Sequence, residues 1–410
     1  MSLVSAKIED VCMVGDGAHA SIKRVSEGVP YLTSKNFKIG GLDLSKLDYI
    51  SKEDYYKHFN GKSKAITKPI FNDIMLSIIG SIGSPHLVKD NDEFGLSSSV
   101  SILRPNGDKI LPAFLYYWLK SDFFQQSIQQ IKSGVAQSFL SLGMIKSLPV
   151  NYFESLQTQK RIADILSSYD DLIENNLKRI KLLEQSAQNI YKEWFVNLRF
   201  PGHENTPVNE ETGLPEGWEE LLMEDIMNVS GGGTPSTKEP LYWEEGKVIW
   251  FSPTDLNKSD SLVLLDSTKK ITELGLKKSS AKLLPQRTIL MSSRATIGLF
   301  GLFNGDCSTN QGFININPKE ESLRYYILFN LKSRVEELIA NASGATFKEL
   351  SKRVFKRMSI VSPDSNISTK FYNQVELFIN QTENLEIQNQ KLKAARDILL
   401  PRLMNRTIEV

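Results

Sequence analysis

The side chains that could do chemistry in this sequence sit in two loops that resemble one another. Residues 289–298 read ILMSSRATIG and residues 74–83 read IMLSIIGSIG, so Ile74, Ser77, Ile82 and Gly83 fall on Ile289, Ser292, Ile297 and Gly298 at a constant offset of 215. Hydroxyl, amide and guanidinium groups at loop tips read base edges in the major groove of duplex DNA, while backbone amides and basic side chains hold its phosphates. The second half offers Ser292, Ser293, Arg294 and Thr296 in one loop, Thr309, Asn310 and Gln311 in another, and Ser252, Thr254 and Asp255 in a third. The matching positions of the first half are Ser77, Gly80 and Ser81; Ser97, Ser98 and Ser99; and Thr33, Ser34, Lys35 and Asn36. From these, Lys35, Asn36, Ser77, Ser81, Ser98, Ser99, Ser252, Thr254, Ser292, Ser293, Arg294, Thr296, Asn310 and Gln311 are candidate DNA contacts. A basic run beside them, Lys269, Lys270, Lys277, Lys278, Lys282 and Arg287, suits phosphates, and Lys277 and Lys278 join the candidate set.

Catalytic patterns are missing. There is no [DNS]-P-P-[YF] tetrapeptide of the kind amino-methyltransferases use, and no Pro-Pro pair at all. SGGGTPSTK at 230–238 lacks the terminal G-K-[ST] of a phosphate loop and reads as a glycine-rich turn. His19, His58, His86 and His203 have no partner at i+4, and Cys12 and Cys307 have no C-x-x-C companion, so no metal or redox site is indicated. The pattern favours a recognition protein over an enzyme.

The loops belong to a longer repeat. KIEDV at 7–11 echoes MEDIM at 223–227, and VPYLTSKNF at 29–37 echoes VIWFSPTDL at 248–256. SSSVSILRP at 97–105 lies over NQGFININP at 310–318, LYYWL at 115–119 over RYYIL at 324–328, and KSGVAQSFL at 132–140 over NASGATFKEL at 341–350. A collinear series of this length means duplication. Each half begins as mixed α and β, with strands expected at 247–252 and 312–316 and one amphipathic helix over 115–131, matched by another over 323–340.

Each half then ends in a stretch free of Gly and Pro, between Pro149 and Pro201 and between Pro363 and Pro401. In the first stretch Leu166, Tyr169, Ile173, Asn176, Ile180, Leu183, Ala187, Ile190 and Trp194 alternate steps of three and four, the seam of a coiled coil. Adding 212 gives Phe378, Gln381, Leu385, Gln388, Leu392, Ala395 and Leu399, with Gln388 over Asn176. The expected fold is therefore α+β: two pseudo-twofold-related mixed α/β domains separated by two long antiparallel coiled-coil helices. Boundaries fall at 1–152, the first domain; 153–200, the central helix; 201–222, a linker; 223–363, the second domain; and 364–410, the distal helix.

Net charge is only +1 over 410 residues, but the charge is segregated. Residues 204–225 carry eight acids and no Lys or Arg, whereas residues 226–360 hold 19 basic against 13 acidic side chains and residues 1–150 hold 17 against 14. Both globular parts are mildly basic, as a DNA ligand asks. No apolar stretch is long enough to span a bilayer and the N-terminus has no leader pattern, so a cytoplasmic protein without a membrane partner is expected.

With these features the chain resembles the specificity subunit of type I restriction-modification systems. LPEGWEE at 214–220, SGGGTPSTKEPLYW at 230–243, VIWFSPTDL, SSRATIG and STNQGF at 308–313 are similar to phrases of that family. QTQKRIADILSSYDDLIENNLKRIKLLEQ at 157–185 resembles its central conserved region, and LEIQNQKLKAARDILLPRLM at 385–404 its distal one. The first domain departs most, with IIGSIG in place of SRATIG. The resemblance implies a non-catalytic subunit whose two target recognition domains each read one half of a bipartite, asymmetric site in double-stranded DNA. It implies helices that set the spacer and dock two DNA methyltransferase subunits, possession of no cofactor in this chain, and S-adenosylmethionine in those partners. Two ATP-dependent motor and nuclease subunits, using ATP and Mg, complete the full complex. Two other readings stay open on the residues alone: a diverged single-chain DNA methyltransferase or nuclease, and a duplicated scaffold for protein partners.

Overall fold

The computed structural model describes residues 2–38, 41–61, 65–134, 139–344 and 348–410. They form two compact units, Met1–Leu172 with Leu392–Val410, and Ile173–Lys391. The last pair of echoes, KSGVAQSFL and NASGATFKEL, falls partly on 135–138 and 345–347, which lie outside the described residues.

In the first unit, strand Leu3–Lys7 pairs antiparallel with Pro149–Phe153, and the Ile8 amide donates to the Leu148 carbonyl at 3.0 Å, which ties the beginning of the domain to its end. A four-stranded sheet follows in the order Cys12–Asp16, Val100–Pro105, Ile74–Ser77, Pro85–Leu87. Its two middle strands contain the runs IMLS and VSIL, buried at every position, which is what a strand covered on both faces requires. A second sheet has the order Asp48–Ile50, Val29–Leu32, Gly95–Leu96.

The second unit repeats this plan. Glu219–Leu222 pairs with Ser359–Ser362, and the Met223 amide donates to the Met358 carbonyl at 2.9 Å. Its main sheet runs Met227–Gly231, Phe313–Pro318, Ile289–Ser292, Phe300–Phe303, with Val263–Leu264 added at the edge. Its small sheet runs Lys269–Ile271, Val248–Phe251, Cys307–Thr309. The fold is thus α+β, built on a duplicated domain, and both predicted strands are present.

Where one amphipathic helix was expected in each half, there are two. Pro112–Lys120 stops at Ser121, which turns to an extended ψ of 151° and donates its hydroxyl to the Trp118 carbonyl at 2.6 Å; Asp122–Gly134 then starts afresh. In the second half Arg324–Ser333 and Val335–Ala340 part at Arg334. The period of 3.6 survives such a break, so the apolar pattern alone does not betray it.

Two long helices, Leu156–Tyr191 and Ser365–Met404, complete the chain, and each contributes to both units. The second runs through Pro401 close to its C-terminal end. In the first unit Ile162, Ala163 and Leu166 share a core with Phe114, Trp118, Leu400 and Leu403. Asp170 accepts from Tyr117 at 2.9 Å and meets Lys120 and Arg396; although burial pushes its carboxyl up, these partners hold it below the usual carboxylate range.

In the second unit the two helices run antiparallel. Asn176 donates to Asn389 at 3.0 Å, and fifteen residues further along the first helix Tyr191 lies against Phe371, eighteen residues earlier on the other. Ile173, Ile180 and Ala187 on the first helix and Val375, Ile379 and Leu385 on the second are buried, and Ala187 shares a core with Val375 and Ile379. The amides expected at Gln381 and Gln388 are exposed instead, and Thr382 and Asn389 take the inward positions. One residue of misphasing turns a side chain about 100° around the helix, so two neighbouring amides cannot be told apart by seam spacing. The first helix ends in a π-helical turn, Lys192–Val196, that carries Phe195 to Tyr326 and Phe371, with ring centroids 4.8 and 4.9 Å away, and Trp194 to Phe371 at 5.9 Å.

The Asn176–Asn389 pair generates a test. Asn389→Leu alone is expected to cost about 1–3 kcal/mol, because the Asn176 amide loses its buried partner. Asn176→Leu combined with Asn389→Leu should melt above either single variant in thermal unfolding; equal melting of the three would show that the two amides are not coupled.

Candidate nucleic-acid interface

The strand Ile289–Ser292 delivers the first loop of the second domain, and Ser292 shapes it. Fully buried, Ser292 donates its hydroxyl to the Thr296 carbonyl at 2.6 Å and accepts from the Leu299 amide at 2.9 Å, while its own carbonyl receives the Gly298 amide at 3.0 Å. Gly298 has φ +87°, and a Cβ there would stand 2.7 Å from Val335. The first domain repeats the device. Ser77, equally buried, donates to the Ser81 carbonyl and accepts from the Ser84 amide at 3.3 Å; Gly83 has φ +87° and its amide reaches the Ser77 carbonyl at 2.9 Å. The repeated serine and glycine are therefore a clasp. Ser77 and Ser292, expected as direct contacts, are instead buried with their hydroxyls engaged inside the loop, and neither offers a free polar group at its surface.

Three further candidates are also turned inward. Ser293 is buried, with its backbone amide on the Gly312 carbonyl at 2.8 Å and its carbonyl under the Leu350 amide at 3.0 Å. Asn36 is buried and bridges the Thr33 amide and the carbonyls of Asp43 and Lys46. Ser252 is half-buried and gives both its amide and its hydroxyl to Asp255, at 2.8 and 2.7 Å. Burial pushes the Asp255 carboxyl up, but hydrogen bonds from Thr268 and Ser252 outweigh it and hold the group below the ordinary range.

What the loops expose is different in each domain. Arg294, Thr296, Thr254 and Gln311 are exposed in the second, beside half-buried Asn310, whose side chain accepts from the Gly312 amide at 2.8 Å. Arg294 pairs with Glu349 at 2.8 Å, both side chains more than two-fifths exposed, so this ion pair is worth about 0–1 kcal/mol and an incoming anion can replace it. The first domain shows Lys35, exposed, and Ser81, Ser98 and Ser99, half-buried. Ser99 accepts from the Ser34 amide at 3.0 Å and so joins two of its loops.

Backbone contacts bring the second domain's loops to one place. The Asn310 amide donates to the Phe251 carbonyl at 3.0 Å, and the Gly233 amide to the Thr309 carbonyl at 2.8 Å. Thr234 donates its hydroxyl to Gln311. A Cβ on Gly232 would lie 2.2 Å from the carbonyls of Thr309 and Asn310, and one on Gly233 2.3 Å from the Ser280 hydroxyl. SGGG is a packing device that lets three loops touch. Lys277 and Lys278 are exposed just before Ser280. Arg287 is not at this surface: it is drawn to Glu383 at 3.2 Å and Asn380 at 2.7 Å on the second long helix.

The loop-based reading missed four basic residues. Lys352, Arg353, Lys356 and Arg357 line a groove with Lys282, beside the glycine-rich strand. Four basic side chains within SKRVFKR were a legible signal, overlooked because they follow the last echo of the repeat. Among the described residues no group of His, Cys, Asp and Glu could hold a metal ion, and burial pushes both Cys12 and Cys307 thiols up to about 12. No helix among them is long and apolar enough to cross a membrane.

A family model described as type I restriction modification DNA specificity domain matches residues 3–185 and again 215–394, once on each repeat. The chain belongs to this family. Its members' name covers the non-catalytic components of type I systems, and the relatives agree. The type I restriction enzyme MjaIX specificity subunit of Methanocaldococcus jannaschii is 26% identical, covering 97% of this chain and 91% of the relative. The HindI specificity subunit of Haemophilus influenzae is 25% identical, over 85% of this chain and 89% of that one. The crystal structure of a type I restriction-modification S subunit from M. genitalium shares the fold, with a TM-score of 0.54 at 16% identity over 98% of this chain and 96% of that chain.

The clasp is testable without DNA. Ser292→Ala is expected to lower stability by about 1–3 kcal/mol, since the Leu299 amide loses a buried acceptor. Gln311→Ala, at an exposed position, should change it by no more than about 0.5 kcal/mol. Denaturant titration checks both, and the reverse order would mean that the loop is not held by its serine.

Proposed function

We propose that this chain is the sequence-reading subunit of a type I restriction-modification complex and associates with double-stranded DNA and with the other subunits. Each recognition domain reads one half of a bipartite, asymmetric site. The long helices set the number of unread base pairs between the halves and dock two methyltransferase subunits. S-adenosylmethionine, and in the full complex ATP and Mg, act in those partner subunits and in two motor subunits.

One observation carries this reading: the same serine clasp holds both loops, while the side chains displayed on them differ, with Arg294 and Thr296 in one and Ser81 in the other. A shared frame with exchanged polar groups suits two readers of unlike sequences. In this reading the exposed Arg294 and Gln311 read base edges, and the exposed Lys277 and Lys278 neutralise phosphates.

Exchanging the loops around Arg294 and Gln311 for those of a relative is expected to change one half of the methylated sequence, mapped as modified adenines, and to leave the other half intact; changes in both would refute independent reading. Lengthening both helices by one turn, about 5.4 Å, should alter the spacer and neither half-site. Pure chain incubated with labelled S-adenosylmethionine and DNA should transfer no label, whereas a single-chain methyltransferase would.

A further inference from the structure

Lys282, Lys352, Arg353, Lys356 and Arg357 converge on an open groove of about 550 Å³, in which Glu224 is the acid. Elsewhere in this unit arginines meet carboxylates: Arg287 pairs with Glu383, Arg324 with Glu321 and Arg334 with Glu337. Among the described residues no such pair involves the five groove cations. Five like charges gathered around a single carboxylate repel one another, and an arrangement of this kind is relieved by an anion. The strand beside them gives one of these cations room. The Lys352 ammonium lies against Gly231, where a Cβ would stand 2.6 Å from its Nζ and push the lysine aside.

The first domain has the same frame without the charge. Ser141 caps Leu142–Ser147 as Ser351 caps Lys352–Lys356, and the following residues, Leu148 and Met358, receive the equivalent amides of Ile8 and Met223. Counting from those serines, Leu142, Gly143 and Ser147 stand where the second domain has Lys352, Arg353 and Arg357; Lys146 alone matches Lys356. Strand register puts Asp16, held by His19, where Gly231 lies.

We infer that the groove of Lys282, Lys352, Arg353, Lys356 and Arg357 is a phosphate clamp for the nucleic-acid backbone, present in the second domain only, so that the two half-sites are anchored unequally. This rests on the DNA-reading function proposed above and adds which half carries the salt-sensitive share of binding. Backbone neutralisation releases counterions and gives no base preference.

The full chain is titrated with a duplex carrying its methylated site at several salt concentrations. Replacing Lys352, Arg353, Lys356 and Arg357 together by Gln is expected to flatten the slope of log affinity against log salt by about 3 to 4, removing on the order of 100-fold of the loss between about 50 and about 200 mM. Lys146→Gln should change the slope by about 1 or less. Gly143→Arg with Ser147→Arg, both exposed and with the Gly143 Cβ meeting only the Ser141 hydroxyl at an ordinary 3.9 Å, should steepen it by up to about 2 while the recognised sequence stays the same. A folded quadruple variant with an unchanged slope, or Lys146→Gln with an equal effect, overturns the clamp. The graft leaves the second domain untouched, and its failure to steepen the slope overturns the clamp independently. Wild-type chain that binds duplexes without any salt dependence overturns the DNA-reading function itself, and the clamp with it.

Discussion

A hydroxyl shut inside a protein has to find its hydrogen bonds there, and in each domain one serine does so by closing a loop upon itself. Ser77 and Ser292 stand at the ends of fully buried strands, each bonding a carbonyl four residues on and an amide seven residues on. Everything displayed beyond the strand end depends on that closure. Because the bonds run to the backbone, they are indifferent to which side chains occupy the tip, and Arg294 or Ile79 can ride on the same frame. This separates a part of the sequence that must stay from a part free to vary.

The long helices are organised by a comparable economy of polar groups. Most of the seam in the second unit is aliphatic or aromatic, and one amide pair, Asn176 with Asn389, interrupts it. The Thr382 hydroxyl and the Asn389 Nδ2 are buried with no hydrogen-bond partner among the described residues. Polar groups of this kind lower the stability of a seam while penalising slipped alignments, which would leave each amide facing hydrocarbon. Arg287 adds a second constraint by reaching from the strand domain to Glu376 and Glu383 on the helix.

Much of this was legible in the sequence, and the reasons differ by level. Duplication was visible because strand interiors such as ILMS and IMLS can change little when covered on both faces. The helices were visible because nothing between Pro149 and Pro201 interrupts them. Seam phase was not, since Gln388 and Asn389 are chemically alike and adjacent. The polar tips were harder still: Ser292, Ser293 and Arg294 are neighbours of similar polarity, yet two are buried and one is exposed. Hydropathy cannot separate a serine that bonds its own loop from one that awaits a ligand, because both are satisfied polar groups. Lys352 to Arg357 were missed for the opposite reason. They break the repeat, and a search for likeness passes over what one copy has and the other lacks.

The π-helical turn at Lys192–Val196 has its own consequence. A wider turn accommodates an additional residue without lengthening the rod by a full step, so the chain leaves the helix rotated from where a regular spiral would have aimed it. Phe195 and Trp194 reach their aromatic neighbours through that rotation. The exit is thereby aimed at Phe371 and Trp218 by a local underwinding, since each revolution of the wider turn takes up more residues than one of the spiral upstream.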